Sequence, residues 1–180
     1  FKIMKILYIY RHPELGYSIG KVFRPIEEEM NKYAQVASIY LPVANYGIKG
    51  LWNNIRYVQK QLKINNYDII HITGTEHYLI PFLIGHKVVI TVHDLGRLIN
   101  LNGIRWLRYW VMQVAVLKLA KAITCISSKT IYEIENNITI KKGRMVVIPN
   151  PIDNKFIFIP KVFNSDCPTI LHIGTGPNKN

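Results

Sequence analysis

Acids are scarce in this chain. Its 180 residues hold 11 aspartates and glutamates against 23 lysines and arginines, a formal net charge of +12. A balance this basic points to an acidic partner: nucleic acid, an anionic membrane face or a phosphorylated substrate. A generic solubility charge is the plainer alternative. Cysteine is nearly absent as well. Cys125 and Cys167 alone exclude a disulfide framework, and Cys125 lies in the apolar run Ala122–Ile126, where it reads as a buried thiol suited to a reducing compartment. The six histidines follow no metal-binding spacing, with neither H-E-x-x-H nor C-x-x-C, so no metal is expected. A G-x-S-x-G elbow is missing, and so is any nucleophile triad. The nucleic-acid reading loses ground for want of an RNP motif, zinc spacing or an arginine-rich stripe. No apolar stretch is long enough to span a bilayer. The opening "FKIMKILYIY" is basic and then apolar, but Arg11 and His12 follow without a small-residue cleavage site, which favours a first strand over a signal peptide.

What is present is alternation. Hydrophobic residues make up 49% and charged residues 19%, a globular composition. Apolar, β-branched runs at 5–10, 36–41, 68–72, 87–92, 122–126, 145–148 and 169–173 predict strands, the central ones apolar throughout, as strands covered on both faces should be. Helices are expected between them, at about 20–34, 50–64, 76–84, 103–120 and 128–137. Leu51, Ile55, Val58 and Leu62 form one helical stripe, Ser127 or Ser128 offers an N-cap, and Pro25 is expected near a first turn. Strands alternating with helices imply an α/β fold, a Rossmann-like doubly wound parallel sheet. Residues 152–168 have no clear period and read as a linker, so the seventh strand belongs to a further unit.

In such a sheet ligands bind beyond the carboxyl ends of the strands. Tyr10, Arg11 and His12, Gly16 with Ser18 and Gly20, His71 with Thr73 and Gly74, His93 with Asp94, Ser127 with Ser128, and Asn150 all fall there. "GYSIGKV" resembles a phosphate-binding loop but is one residue short between its glycines and has Val22 where a hydroxyl is needed; nor is it the G-x-G-x-x-G of a nicotinamide-cofactor fold. It remains either a glycine loop before a helix N-terminus, able to approach an anion, or a structural turn. His93 ends the strand "KVVITV" and is placed to touch a ligand, with Asp94 available to orient its ring. Lys49, Arg56, Lys60 and Lys63 share one side of a helix near Trp52 and Tyr57, which fits a solvated face or a peripheral contact with an anionic membrane. "IRWLRYWVMQVAVLKLAKA" reads as a sheet-packing helix or one that dips into a membrane.

The order of these motifs, "YDIIHITG", "KVVITVHDL", "AKAITCISSKT", "VVIPNPID" and "PTILHIGTGPNKN", resembles the nucleotide-sugar glycosyltransferases of the GT-B fold, in particular family 4 (glycosyl transferases group 1). That resemblance covers nearly the whole chain. It implies two Rossmann-like domains around a cleft, of which this sequence would supply the N-terminal half: an acceptor-side domain over 1–151, a linker over 152–168, and the start of a truncated donor-binding domain over 169–180. A fragment of this kind is expected to be inactive alone.

By position, the resemblance implies donor binding through Gly16, Ser18, Gly20, Asn150, Thr175 and Lys179. It implies a catalytic His93 that contacts the transferred sugar or acceptor, and acceptor binding by Arg11, His12, His71, Thr73 and Asp94. One glycine stands where many members have two, and Thr175 stands where an arginine is common. The activity implied is retaining transfer of a hexose from a nucleotide sugar to a glycan or lipid-linked acceptor in bacterial cell-surface polysaccharide or lipopolysaccharide synthesis. No cofactor beyond the donor is implied. The expected location is the cytoplasm or the inner face of the cytoplasmic membrane. The other reading is a non-catalytic module that binds an acceptor or a membrane.

Overall fold

Runs of Ile, Val, Leu and Tyr build the centre of the molecule. The computed structural model describes residues 3–16, 18–44, 47–152, 155–160 and 162–170. Six strands form one parallel sheet: β1 (Lys5–Tyr10), β2 (Gln35–Tyr40), β3 (Ile69–Ile72), β4 (Val88–Val92), β5 (Ala122–Cys125) and β6 (Met145–Val147), in the order β2-β1-β3-β4-β5-β6. The register runs from Lys5 opposite Gln35 to Tyr10 opposite Tyr40, and Ile70 pairs both Leu7 and Val88.

This order decides where the helices lie. Parallel neighbours need crossovers, and those crossovers are right-handed. Only the step from β1 to β2 runs toward one end of the sheet; all later steps run the other way. So α1 (Ser18–Met30) covers one face alone, packing Ile19 and Phe23 on Ile6, Tyr8 and Tyr10. The opposite face carries α2 (Ile48–Ile64), the 3₁₀ segment His77–Leu83, the stretch from α3 (Gly103–Tyr109) to Leu119, and α4 (Ser128–Glu135). The larger core sits under that second group, around Leu7, Ile9, Ile70, Ile90 and Ile123.

Four expectations change on contact with the structure. Pro25 lies inside α1 and not in its first turn, because the helix starts at Ser18. Both Pro25 and Lys21, whose carbonyl loses its helical partner there, are exposed, so water takes the place of the lost N–H. The helix expected over 76–84 is a 3₁₀ segment, His77–Leu83, that carries Pro81 inside it. The single helix expected over 103–120 divides into α3, a π-helical turn at Trp110–Val114 and a 3₁₀ turn at Ala115–Leu119. Its carbonyl at Gln113 is taken by the ring of His77, Nδ1 to O 2.5 Å, so a buried imidazole does the work of a backbone donor. Thr169 and Ile170 form no strand; the rest of the seventh strand, with Thr175 and Lys179, lies outside the described residues.

The loop after β2 is held by one buried amide. Asn54 of α2 accepts from Val43 N (3.1 Å) and donates to Val43 O (3.0 Å) and to the Tyr78 hydroxyl (3.2 Å). Asn54→Ala would strand these groups, and a loss of about 2–4 kcal/mol is expected in urea unfolding. A loss near zero would mean that water replaces the amide.

Candidate functional site

The sheet order reverses between β1 and β3, and in an open parallel sheet the carboxyl ends at such a reversal are where a ligand crevice is expected. Three loops meet there. The first leaves β1 as Arg11 and His12 and turns through Pro13–Leu15 before α1 begins at Ser18. His12 caps that turn, its Nδ1 accepting from Glu14 N at 3.3 Å. Gly16 has φ +118°, a left-handed value that favours glycine, and a Cβ there would come within 3.0 Å of Arg11 Nη2. The Arg11 guanidinium closes the loop by donating to Gly16 O (3.3 Å) and Ser18 Oγ (3.4 Å). A cation and the first turn of a helix therefore share one short loop, and Gly20 faces open space beside them. Together they present N–H groups and positive charge to an anion.

The second loop follows β3. Thr73 is fully buried and donates through both N (3.1 Å) and Oγ1 (3.0 Å) to Ile9 O, which locks this loop to β1. Gly74 is needed for fit: an added Cβ would lie 2.8 Å from Ile19 Cδ1 and 3.1 Å from Glu76 Oε2. Glu76 is fully buried, and Thr75 Oγ1 donates to its Oε1 at 3.2 Å. The motif pattern does not single out this carboxylate; its one signal in the sequence is an acid four residues past the apolar strand, in the loop that follows it. Nor does the pattern single out His77.

The third loop follows β4. The His93 ring bonds Thr73 O through Nε2 at 2.9 Å. A carbonyl only accepts, so Nε2 carries the hydrogen, and in the neutral ring Nδ1 is left as an acceptor. Thr130 Oγ1 of α4 donates to His93 O at 3.1 Å, and Ser127 caps the same helix by accepting from Thr130 N at 3.3 Å. Asp94 does not orient His93, contrary to expectation: its Oδ1 accepts from Gly96 N at 3.2 Å, the ordinary local bond of a short aspartate side chain. The backbone beyond it is pinned by Leu95 N donating to Glu133 Oε2 at 3.0 Å.

Thus Arg11, His12, Gly16, Ser18, Gly20, Thr73 and His93 share the crevice edge, with Asp94 exposed beside them. Two other expected residues stand apart. The His71 ring lies on the sheet face under α1, against Tyr8 (5.1 Å) and Phe23 (5.3 Å), and bonds Thr91 Oγ1 at 2.8 Å. Strand alternation sends it there, opposite to Ile70 and Ile72. Asn150 follows β6, four strand positions from β1 or roughly 19 Å. Two shallow cavities, one beside Lys5 and Gln35 and one beside Glu135 and Met145, lie at the opposite edge of the sheet and take no part. Among the described residues no group of three or more His, Cys, Asp or Glu gathers to hold a metal.

Residues 21–156 match the family profile described as Glycosyltransferase Family 4. No curated protein matches the chain. Among solved structures it is similar to a glycosyltransferase from Rickettsia africae ESF-5, with a TM-score of 0.52 at 15% identity over 83% of this chain and 43% of that one. It is also similar to Anabaena Alr3699/HepE in complex with UDP and glucose, with a TM-score of 0.55 at 13% identity over 83% and 45%. The chain spans less than half the length of either neighbour. At these identities the likeness concerns the fold: a Rossmann-like domain of the kind expected for the N-terminal half of a GT-B glycosyltransferase.

Burial drives the pKa values of both His71 and His77 down from 6.5 to about 4. In the unfolded chain these rings take up protons near pH 6.5; in the fold they resist until about pH 4. Their contribution to stability is therefore complete above pH 6.5 and lost as pH falls toward 4, on the order of 3 kcal/mol per ring. Urea melts across that window should show the decline. A flat profile would mean that the rings charge without unfolding the protein.

Proposed function

Because the chain belongs to glycosyltransferase family 4, we propose that it is the acceptor-side, N-terminal domain of an enzyme that moves a hexose from a nucleotide sugar to a glycan or lipid-linked acceptor. The observation that carries this reading is the joint placement of a pinned imidazole and an anion-ready loop on one crevice. A sugar leaving a nucleoside diphosphate places positive character on the ring and negative charge on the phosphates. The first turn of α1 is suited to the phosphate side. The His93 ring, held through Nε2, offers its other nitrogen, Nδ1, to a sugar hydroxyl and so fixes its orientation.

In this reading Gly16, Ser18 and Gly20 approach the donor diphosphate, with Thr175 and Lys179 adding to the same grip and Asn150 bordering the donor side. Arg11, His12 and Asp94 border the acceptor, while Thr73, fully buried and bonded to Ile9 O and to the His93 ring, supports that edge from beneath and not by contact. Residues 1–151 form the acceptor domain, 152–168 the linker and 169–180 the opening of the donor domain. Transfer proceeds with retention and without a metal or other cofactor. The product enters bacterial cell-surface polysaccharide or lipopolysaccharide, made in the cytoplasm at the inner membrane face, where an anionic surface suits a net charge of +12. Support for the donor class comes from the UDP and glucose held by the HepE neighbour. A second reading is a module that binds acceptor or membrane without catalysis, for which the net charge of +12 would supply the attraction to an anionic surface.

A donor screen on a longer protein that contains this domain separates the two. The expected outcome is transfer or slow hydrolysis of one nucleotide sugar, with His93→Ala lowering kcat by about 100-fold and leaving the melting temperature within a few degrees. Turnover that is absent for every donor selects the binding module, and an active His93→Ala removes the imidazole from the chemistry.

A further inference from the structure

Helix α3 has no buried residue, yet its sequence is GIRWLRY. Ile104 is 78% exposed and Leu107 48%, and the Trp106 ring stacks on Trp110 at 6.1 Å. A seven-residue helix is too short to be stable by itself in water. Nor is it the sheet-packing element that its apolar residues suggest: along the stretch it opens, the first fully buried side chain is Val114. The same face of the molecule continues through the 3₁₀ segment His77–Leu83, which packs against both α2 and the stretch 110–119. There Phe82 meets Trp52 edge-on at 6.1 Å, Arg56 lies over the Trp52 ring at 5.5 Å, and Ile84 is 75% exposed.

Charge on this face has one sign. From Leu95 to Tyr132 the sequence holds no aspartate or glutamate, but Arg97, Arg105, Arg108, Lys118, Lys121 and Lys129. The same is true from Met30 to Tyr67, a stretch that includes the cations of α2. The nearest acids are engaged: Asp68 bonds Lys5 N at the amino edge of the sheet, Glu76 is buried, Asp94 sits at the carboxyl edge close to Tyr109 and accepts from Gly96 N, and Glu133 of α4 accepts from Leu95 N and pairs with Lys129.

We propose that α3, the His77–Leu83 turn and the outer side of α2 form a docking face for an anionic lipid bilayer, with α3 lying in the interface. Exposed aliphatic and indole side chains enter the headgroup boundary, and the arginines beside them meet anionic headgroups. A nucleic acid would answer the charge but give Ile104 and Leu107 nothing to bury against. A second copy of this chain would bring like charges together. The face stands beside the crevice and not across it, since α3 follows His93 in the chain through the turn Gly96–Asn100. Docking would leave the carboxyl edge open to an acceptor carried in the membrane. This extends the membrane contact proposed above, but it does not depend on sugar transfer, so each can fail without the other.

Vesicle sedimentation with tryptophan fluorescence tests it on the chain as it stands. Vesicles of phosphatidylcholine with about a third phosphatidylglycerol should bind the protein, blue-shift its emission and release it as salt is raised. Arg105→Glu with Arg108→Glu should weaken binding at least tenfold, each basic side chain near the surface contributing roughly fivefold. Trp106→Ala with Leu107→Ala should weaken it as well and reduce the blue shift. Lys141→Glu with Lys142→Glu, the same charge change at the amino edge of the sheet, should bind like the parent protein. All four positions in α3 are exposed, and thermal melts confirm that the variants fold. The proposal is overturned by equal binding to neutral vesicles, by equal loss in the Lys141/Lys142 variant, by capture of RNA without capture of vesicles, or by a dimer in solution that the Trp106/Leu107 variant abolishes.

Discussion

Handedness governs this molecule. Six strands run the same way, so none can be joined to its neighbour by a tight turn, and each crossover must wind to the right. A sheet in the order β2-β1-β3-β4-β5-β6 then has one crossover that moves one way and four that move the other. From this follow the lone α1 on one face, the larger core on the other, and the collection of all strand-to-helix loops at one edge. The crevice between the ends of β1 and β3 results from the same constraint, before any particular side chain is considered.

Side chains then make the crevice specific, largely by hydrogen bonds between loops. Ile9 O takes two bonds from Thr73, Thr73 O takes one from the His93 ring, and His93 O takes one from Thr130. The chain β1, β3, β4, α4 is thereby linked through backbone carbonyls, with the imidazole as one link. A ring held in this way is oriented by the scaffold, which is the condition for fixing a hydroxyl with little reorganisation. The faces of the molecule differ: the carboxyl edge is polar and locked, while the outer side of α3 is apolar, basic and exposed among the described residues.

Much of this was legible in the residues, and the exceptions have physical causes. Buried parallel strands are apolar along their length, so β1 and β5 were located almost to the residue. Arg11, Thr73 and His93 stand out in the sequence because they directly follow such runs. His71 misled because it also stands near a strand end; its neighbours Ile70 and Ile72 point into the larger core, and alternation places His71 on the other side, among Tyr8 and Phe23. The pairing of Asp94 with His93 failed because a short acid serves its own turn first. The segment 103–120 has the periodicity of one helix. What divides it is a contact with His77, far off in sequence, which no local pattern records.

That last contact also limits how the chain can change length. The π-helical turn at Trp110–Val114 accommodates more residues per turn than an α-helix, and the side chains after it are rotated accordingly, which brings Val114 and Leu117 into the core. Deleting one residue there would restore a regular helix, return the Gln113 carbonyl to the backbone ladder and turn Leu117 outward. It would also leave His77 buried with no acceptor. An insertion or deletion in this turn is therefore tied to position 77. The pair should persist or be lost together as the sequence drifts, whereas exposed loops such as the one around Gly143 can gain or lose residues freely.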